Sequence, residues 1–95
     1  MSEEMLKAVL EAAQAKTDKD GWAILPDGRF LTLYAAHNGA PLTVAKVEAI
    51  RVVHGIVRAR SAKGQMFLLA QTDVFAAALD GGAETPGGRK AGFLG

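Results

Sequence analysis

Apolar side chains recur every three to four residues at the start of the chain and then shift to near-alternation, and this change of period divides the sequence. Met5, Leu6, Val9, Leu10 and Ala13 fall on one stripe of a helix running from Glu3 to about Lys16. Ser2 stands at the N-cap position, with Glu3 and Glu4 at the positive end of the helix dipole and Lys16 at the negative end. A helix of this length is marginal alone, so its stripe must pack against the rest of the fold. Thr17-Asp18-Lys19-Asp20-Gly21 ends it.

From Trp22 onward the pattern is that of strands and tight turns. Trp22–Leu25 and Phe30–Ala36 flank Pro26-Asp27-Gly28-Arg29, which reads as a hairpin because proline pre-sets φ and Asp-Gly accepts a reversing backbone. His37-Asn38-Gly39-Ala40-Pro41 is the next punctuation. Leu42–Val53 reads as strand in preference to helix, because Lys46, Glu48, Arg51 and His54 do not gather on one helical face. Ile56–Arg60 and Gln65–Ala70 form a second hairpin across Ser61-Ala62-Lys63-Gly64. Thr72 or Asp73 then caps a short helix, Val74–Leu79, that stops at Asp80-Gly81-Gly82. Residues 82–95 read as a flexible glycine-rich tail, leaving residues 1–81 as one small domain.

The expected fold class is α+β: an N-terminal amphipathic helix, an antiparallel β-meander of four or five strands, a short C-terminal helix and the tail. Leu31, Leu33 and Ala35 line one face of the first long strand, and Phe30, Thr32 and Tyr34 the other. Met66, Leu68 and Ala70 likewise oppose Phe67 and Leu69. Both faces need cover, so the sheet either closes as a barrel or packs against a second copy. Trp22 and Phe75 are read as core, and Met5 and Met66 as apolar gap-fillers.

Composition narrows the function. Apolar types at 49% and charged types at 22% are those of a globular chain, and 95 residues make one domain with a modest core, for which self-association is a common remedy. The absence of cysteine excludes disulfides, thiolate metal sites and a thiol nucleophile. An acidic start without an apolar signal core, and no apolar run long enough to span a bilayer, point to a cytoplasmic protein with no membrane partner. The frequent Ala, Gly and Arg suggest a bacterial source.

Candidate chemistry is sparse. His37, His54, Ser2, Ser61 and Tyr34 form no triad or nucleophile elbow, and the histidines are too far apart for a short metal motif. Gly82 and Gly87 have phosphate-loop spacing, but Gly88 stands where lysine is needed. No catalytic residue, cofactor or metal is assigned, and the chain is read as a non-enzyme. Net charge is only +1, yet it is unevenly spread. Residues 1–21 hold Glu3, Glu4, Glu11, Asp18 and Asp20 against Lys7, Lys16 and Lys19, whereas residues 46–63 hold Lys46, Arg51, Arg58, Arg60 and Lys63 against Glu48 alone. Alternation puts Arg58 and Arg60 on one strand face, where Arg51 and Lys63 could join them as a ligand or nucleic-acid face.

The runs Pro41-Leu42-Thr43-Val44 and Val47-Glu48-Ala49-Ile50, followed by a hairpin and a short helix, resemble in hydrophobic spacing the strand meander of LytTR-type bacterial DNA-binding domains. The resemblance spans residues 41–79 and carries over no site residue. The expected function is a small interaction module that self-associates, as a homodimer, with room for another protein partner. The alternatives are a weak nucleic-acid binder using Arg51, Arg58, Arg60 and Lys63, and a small-molecule binder in a closed barrel.

Overall fold

The computed structural model of the chain describes residues 1–81. The expected tail, residues 82–95, lies outside the described residues. Helix α1 spans Glu3–Ala12, with the Ser2 side chain accepting from the Met5 amide at 3.1 Å. It stops short of Lys16 because Gln14 adopts a left-handed φ of 60°. The Ala15 amide then donates to the Leu10 carbonyl and that of Gln14 to Glu11, both at 3.0 Å, which closes the helix end. Lys16 is therefore not in the helix but opens a short strand.

Among the described residues seven strands follow: β1 (Lys16–Thr17), β2 (Ala23–Ile24), β3 (Arg29–His37), β4 (Ala40–Val53), β5 (Ile56–Ser61), β6 (Met66–Ala70) and β7 (Val74–Gly81). All pairings are antiparallel. The five long strands lie in the order β7-β3-β4-β5-β6, and β2 with β1 continues beyond β3 on the same side of β4. The sheet curls into a half-barrel. Two of its reversals are two-residue turns of the type that matches strand twist, Asn38-Gly39 (φ 50° and 82°) and His54-Gly55 (φ 51° and 76°).

The curl originates in β4. Leu31 and Leu33 of β3 face Val47 and Val44, so β4 carries one residue more than β3 across that interval. On its other edge Val47 and Ala49 face Ser61 and Arg60, so Glu48 is again supernumerary. Lys46 takes a φ of 60° at the first of these irregularities. Bulges bend a strand and sharpen its twist, and two flanking one residue let β4 serve both halves of the sheet. Inside the curl Leu31, Leu33, Val44, Val47, Ile50, Val57 and Val74 are essentially inaccessible. Burial of each contributes about 1.5–3 kcal/mol. Ala13 belongs to this core, with Val9 and Leu10 of the helix packed against it, so α1 covers the inside of the curl.

Three expectations are corrected. Trp22–Leu25 and Phe30–Ala36 do not form a hairpin: β2 and β3 run in the same direction along one edge of β4, and Pro26-Asp27-Gly28 is an excursion between them. The Leu25 amide donates to the Glu48 carbonyl at 2.9 Å, holding the chain on β4 before it loops out. The segment Val74–Leu79 is strand β7, not helix. Its alanines favour a helix by propensity, but β3 offers an open edge over Arg29–Ala35, and pairing there buries Val74 and lets the Thr32 hydroxyl donate to Asp80 Oδ2 at 3.0 Å. Thr72 and Asp73 lie in a 3-10 turn without a side-chain cap. Finally Phe75, expected in the core, is 59% exposed, since it is the unmatched residue where the β3–β7 register shifts. Met5 and Met66 are exposed too, and Trp22 is half-buried.

The end of β7 imposes a sharp steric condition. Gly81 has φ +80°, and a Cβ there would lie 2.1 Å from the Gly28 carbonyl oxygen. Gly64 has a similar φ (+86°) but nothing within 4 Å of its added Cβ. Gly81→Ala is therefore expected to destabilise the domain by about 1–3 kcal/mol and more than Gly64→Ala does. Thermal unfolding followed by circular dichroism measures this, at about 4–8 °C per kcal/mol for a domain of this size.

Candidate functional site

The outer face of the C-terminal half of β4 with β5 and β6 carries the most distinctive chemistry. Val57, Ala59 and Ser61 of β5 point into the core, so Ile56, Arg58 and Arg60 point out. Register then sets three cross-strand rows on that face: Ala49–Arg60–Met66, Arg51–Arg58–Leu68 and Val53–Ile56–Ala70. Arg51 and Arg58 are direct partners, which places their Cβ atoms about 4.5–5.5 Å apart.

The three arginines differ in what they touch. Arg60 Nε lies 3.3 Å from Glu48 Oε2, and its guanidinium sits over the Trp22 ring at 5.3 Å from the centroid. The bulge that frees Glu48 from the β4–β5 register gives Arg60 this partner. Both side chains are partly solvated, so the pair contributes about 0–1 kcal/mol. Arg51 is half-buried against the Gly21 loop, where an added Cβ would meet its Nε at 3.5 Å. Arg58 is exposed. Neither Arg51 nor Arg58 has an ion pair or side-chain hydrogen bond among the described residues.

Lys63 stands apart from this group. It occupies the β5–β6 turn, where its amide donates to Ser61 Oγ at 3.3 Å, beside a small cleft that Lys46, Thr43 and Phe67 also line. Lys46 itself reaches over the Phe30 ring, 5.1 Å from its centroid. Of the four cations grouped by sequence, the structure thus brings Arg51, Arg58 and Arg60 together on one face and leaves Lys63 around the turn.

A second feature lies at the sheet margins. Among the described residues, neither β6 nor β7 has a second strand neighbour. Leu68 is 64% exposed and Met66 49% on β6, and Phe75 and Leu79 are exposed on β7. The sequence reading marked Met66 and Leu68 as needing cover but put Phe75 and Leu79 in a helix, and alternation alone does not say which strands lie at an edge.

The remaining candidates are structural. His37 Nδ1 lies 3.1 Å from Asp73 Oδ2, tying the β3–β4 turn to the 3-10 turn, and His54 opens the β4–β5 turn. A groove of about 830 Å³, open to solvent, runs along Gln14–Asp18 and Ile24–Pro26. The curl itself is filled by its own side chains. No group of three metal-ligating side chains is found among the described residues, and no helix among them is long and apolar enough to cross a membrane. Comparison of the chain with known protein families, with characterised proteins and with solved structures finds no match.

Two like charges directly opposed across a ladder oppose folding. Arg58→Glu, which makes the Arg51 partner complementary, is expected to raise stability by about 0.5–1 kcal/mol at low ionic strength. That gain shrinks toward about 1 M salt as screening removes the repulsion it relieves. Thermal unfolding of the two proteins across a salt series checks both parts; a variant less stable than the parent at low salt would contradict them.

Proposed function

We propose that this chain is a non-enzymatic interaction module that assembles with a second copy of itself through strand β6. The observation that carries this reading is the edge of β6, which has no second strand partner among the described residues, with the exposed Leu68 at its midpoint. An edge strand presents a row of unsatisfied backbone donors and acceptors, and proteins that remain monomeric usually blunt such an edge with charge, proline or a bulge. Strand β6, Met-Phe-Leu-Leu-Ala, has none of these, and it pairs with β5 over five consecutive residues without a register shift. By contrast β7 is interrupted at Phe75 and ends in Asp80-Gly81.

Two antiparallel β6 strands related by a two-fold axis near Leu68 satisfy each other's backbone groups and set the two Leu68 side chains together. Backbone pairing of this kind is insensitive to charge screening, so the dimer is expected to persist at high salt. Light scattering at several protein concentrations, at low and high salt, should give twice the chain mass for the parent protein and for Phe75→Lys. Leu68→Lys should give the monomer mass at the same concentrations. A parent protein that is monomeric throughout contradicts the proposal.

A further inference from the structure

The uncompensated pair Arg51 and Arg58 is expensive in a small domain. Both stand on the same face in directly opposed register, both lack a carboxylate partner among the described residues, and a third guanidinium, Arg60, follows two residues along the same strand. Acidic side chains are plentiful in the first twenty-one residues, and Glu48 turns to Arg60, yet none of them lies within ion-pair distance of Arg51 or Arg58. Arginines paired across a rigid ladder can both reach one anion, and their planar N–H donors suit the oxygens of a phosphate. An anion bridging the two removes their repulsion and satisfies their donors together.

We propose that Arg51 and Arg58 form a phosphate-binding clamp on the outer face of β4 and β5, continued by Arg60, and that its ligand is the phosphodiester backbone of a single-stranded nucleic acid. Two features favour a polymer over a free anion. First, the face is open, with Arg58 exposed, so nothing encloses a single small ion. Repeated phosphates along one chain overcome that weakness, because binding of the first raises the effective concentration of the next. Second, Arg58 and Arg60 are spaced by two residues of strand, about 6.6–6.8 Å, which presents cations in a line and not in a pocket. Leu68 and Met66 border the arginines in the same rows and Ile56 and Val53 in the next, giving the unpaired bases an apolar surface that a duplex would not use. The arginines of the clamp come from β4 and β5 of one copy, although Leu68 and Met66 belong both to this surface and to the β6 contact.

The test is fluorescence anisotropy of a labelled oligo-uridylate with the full chain at several salt concentrations, beside a duplex of equal length and a competition with inorganic pyrophosphate. Binding to the single strand is expected to fall with salt, with a log–log slope of about −0.7 per neutralised phosphate. Arg51→Gln and Arg58→Gln together should weaken binding at least tenfold at low salt and reduce the slope by about 1 to 2. Lys63→Gln, away from the clamp, should change neither by more than about twofold. The thermal midpoint gives a second readout: the oligonucleotide should raise that of the parent and leave that of the double variant unmoved. No binding at low salt, or an undiminished slope in the double variant, overturns the proposal, as does an equal loss in Lys63→Gln. If pyrophosphate alone raises the midpoint as far as the oligonucleotide does, the polymer assignment falls and a small phosphate ligand takes its place. Tighter binding of the duplex overturns the single-strand assignment.

Discussion

Val47 sits between two supernumerary residues, Lys46 against β3 and Glu48 against β5, and the bend this forces into β4 organises the domain. A straight fourteen-residue strand would carry a flat sheet with two apolar faces to cover. Bent at Val47, it folds the β3 half toward the β5 half and shares one interior between them, filled by Leu31, Leu33, Val44, Val47, Ile50 and Val57. The bulge residues are not left idle. Lys46 turns out over Phe30 and Glu48 out to Arg60, so the irregularities that shape the core also furnish contacts on the surface.

The outer face follows from the same geometry. Because β4 pairs with β5 beyond the bend, Arg51 is carried into register with Arg58, and the same alternation that sends Val57 and Ala59 inward sends Arg58 and Arg60 outward. Such a face gives up some stability, since the like charges repel and the neighbouring Leu68 and Met66 are only partly buried. A core this compact tolerates the loss only because its interior positions are almost completely closed to solvent. Regions that break local energetic rules while the core obeys them are where interaction surfaces are found.

What could be read from the chain divides along the same physical line. The helix stripe of Met5, Leu6, Val9, Leu10 and Ala13, the long strand 42–53 and the hairpin across Ser61–Gly64 were legible because period and turn chemistry act locally. So was the grouping of Arg58 with Arg60, and of Arg51 once pairing was assumed. Pro26-Asp27-Gly28 was misread because the same turn residues serve a reversal or an excursion, and only the length of β4 decides between them. The alanines after Val74 were misread as helix because the competing partner, the open edge of β3, lies some forty residues earlier in the chain. Phe75, read as core on the expected helix, is the unmatched residue of a bulge in β7, and Lys63 sits in the hairpin turn, where strand alternation sets no facing.

Strand β7 has a consequence for how the molecule is made. The Thr32–Asp80 bond spans 48 positions, and the glycine that closes β7 against Gly28 stands at 81. During synthesis from the N-terminus, β3 precedes its partner β7 by some forty residues, so one full side of β3 waits unpaired while β4, β5 and β6 are added. Local reversals form quickly and distant closures slowly. Until β7 arrives, the growing chain therefore carries an open edge of β3 that a neighbour of its own kind could pair with in place of β7.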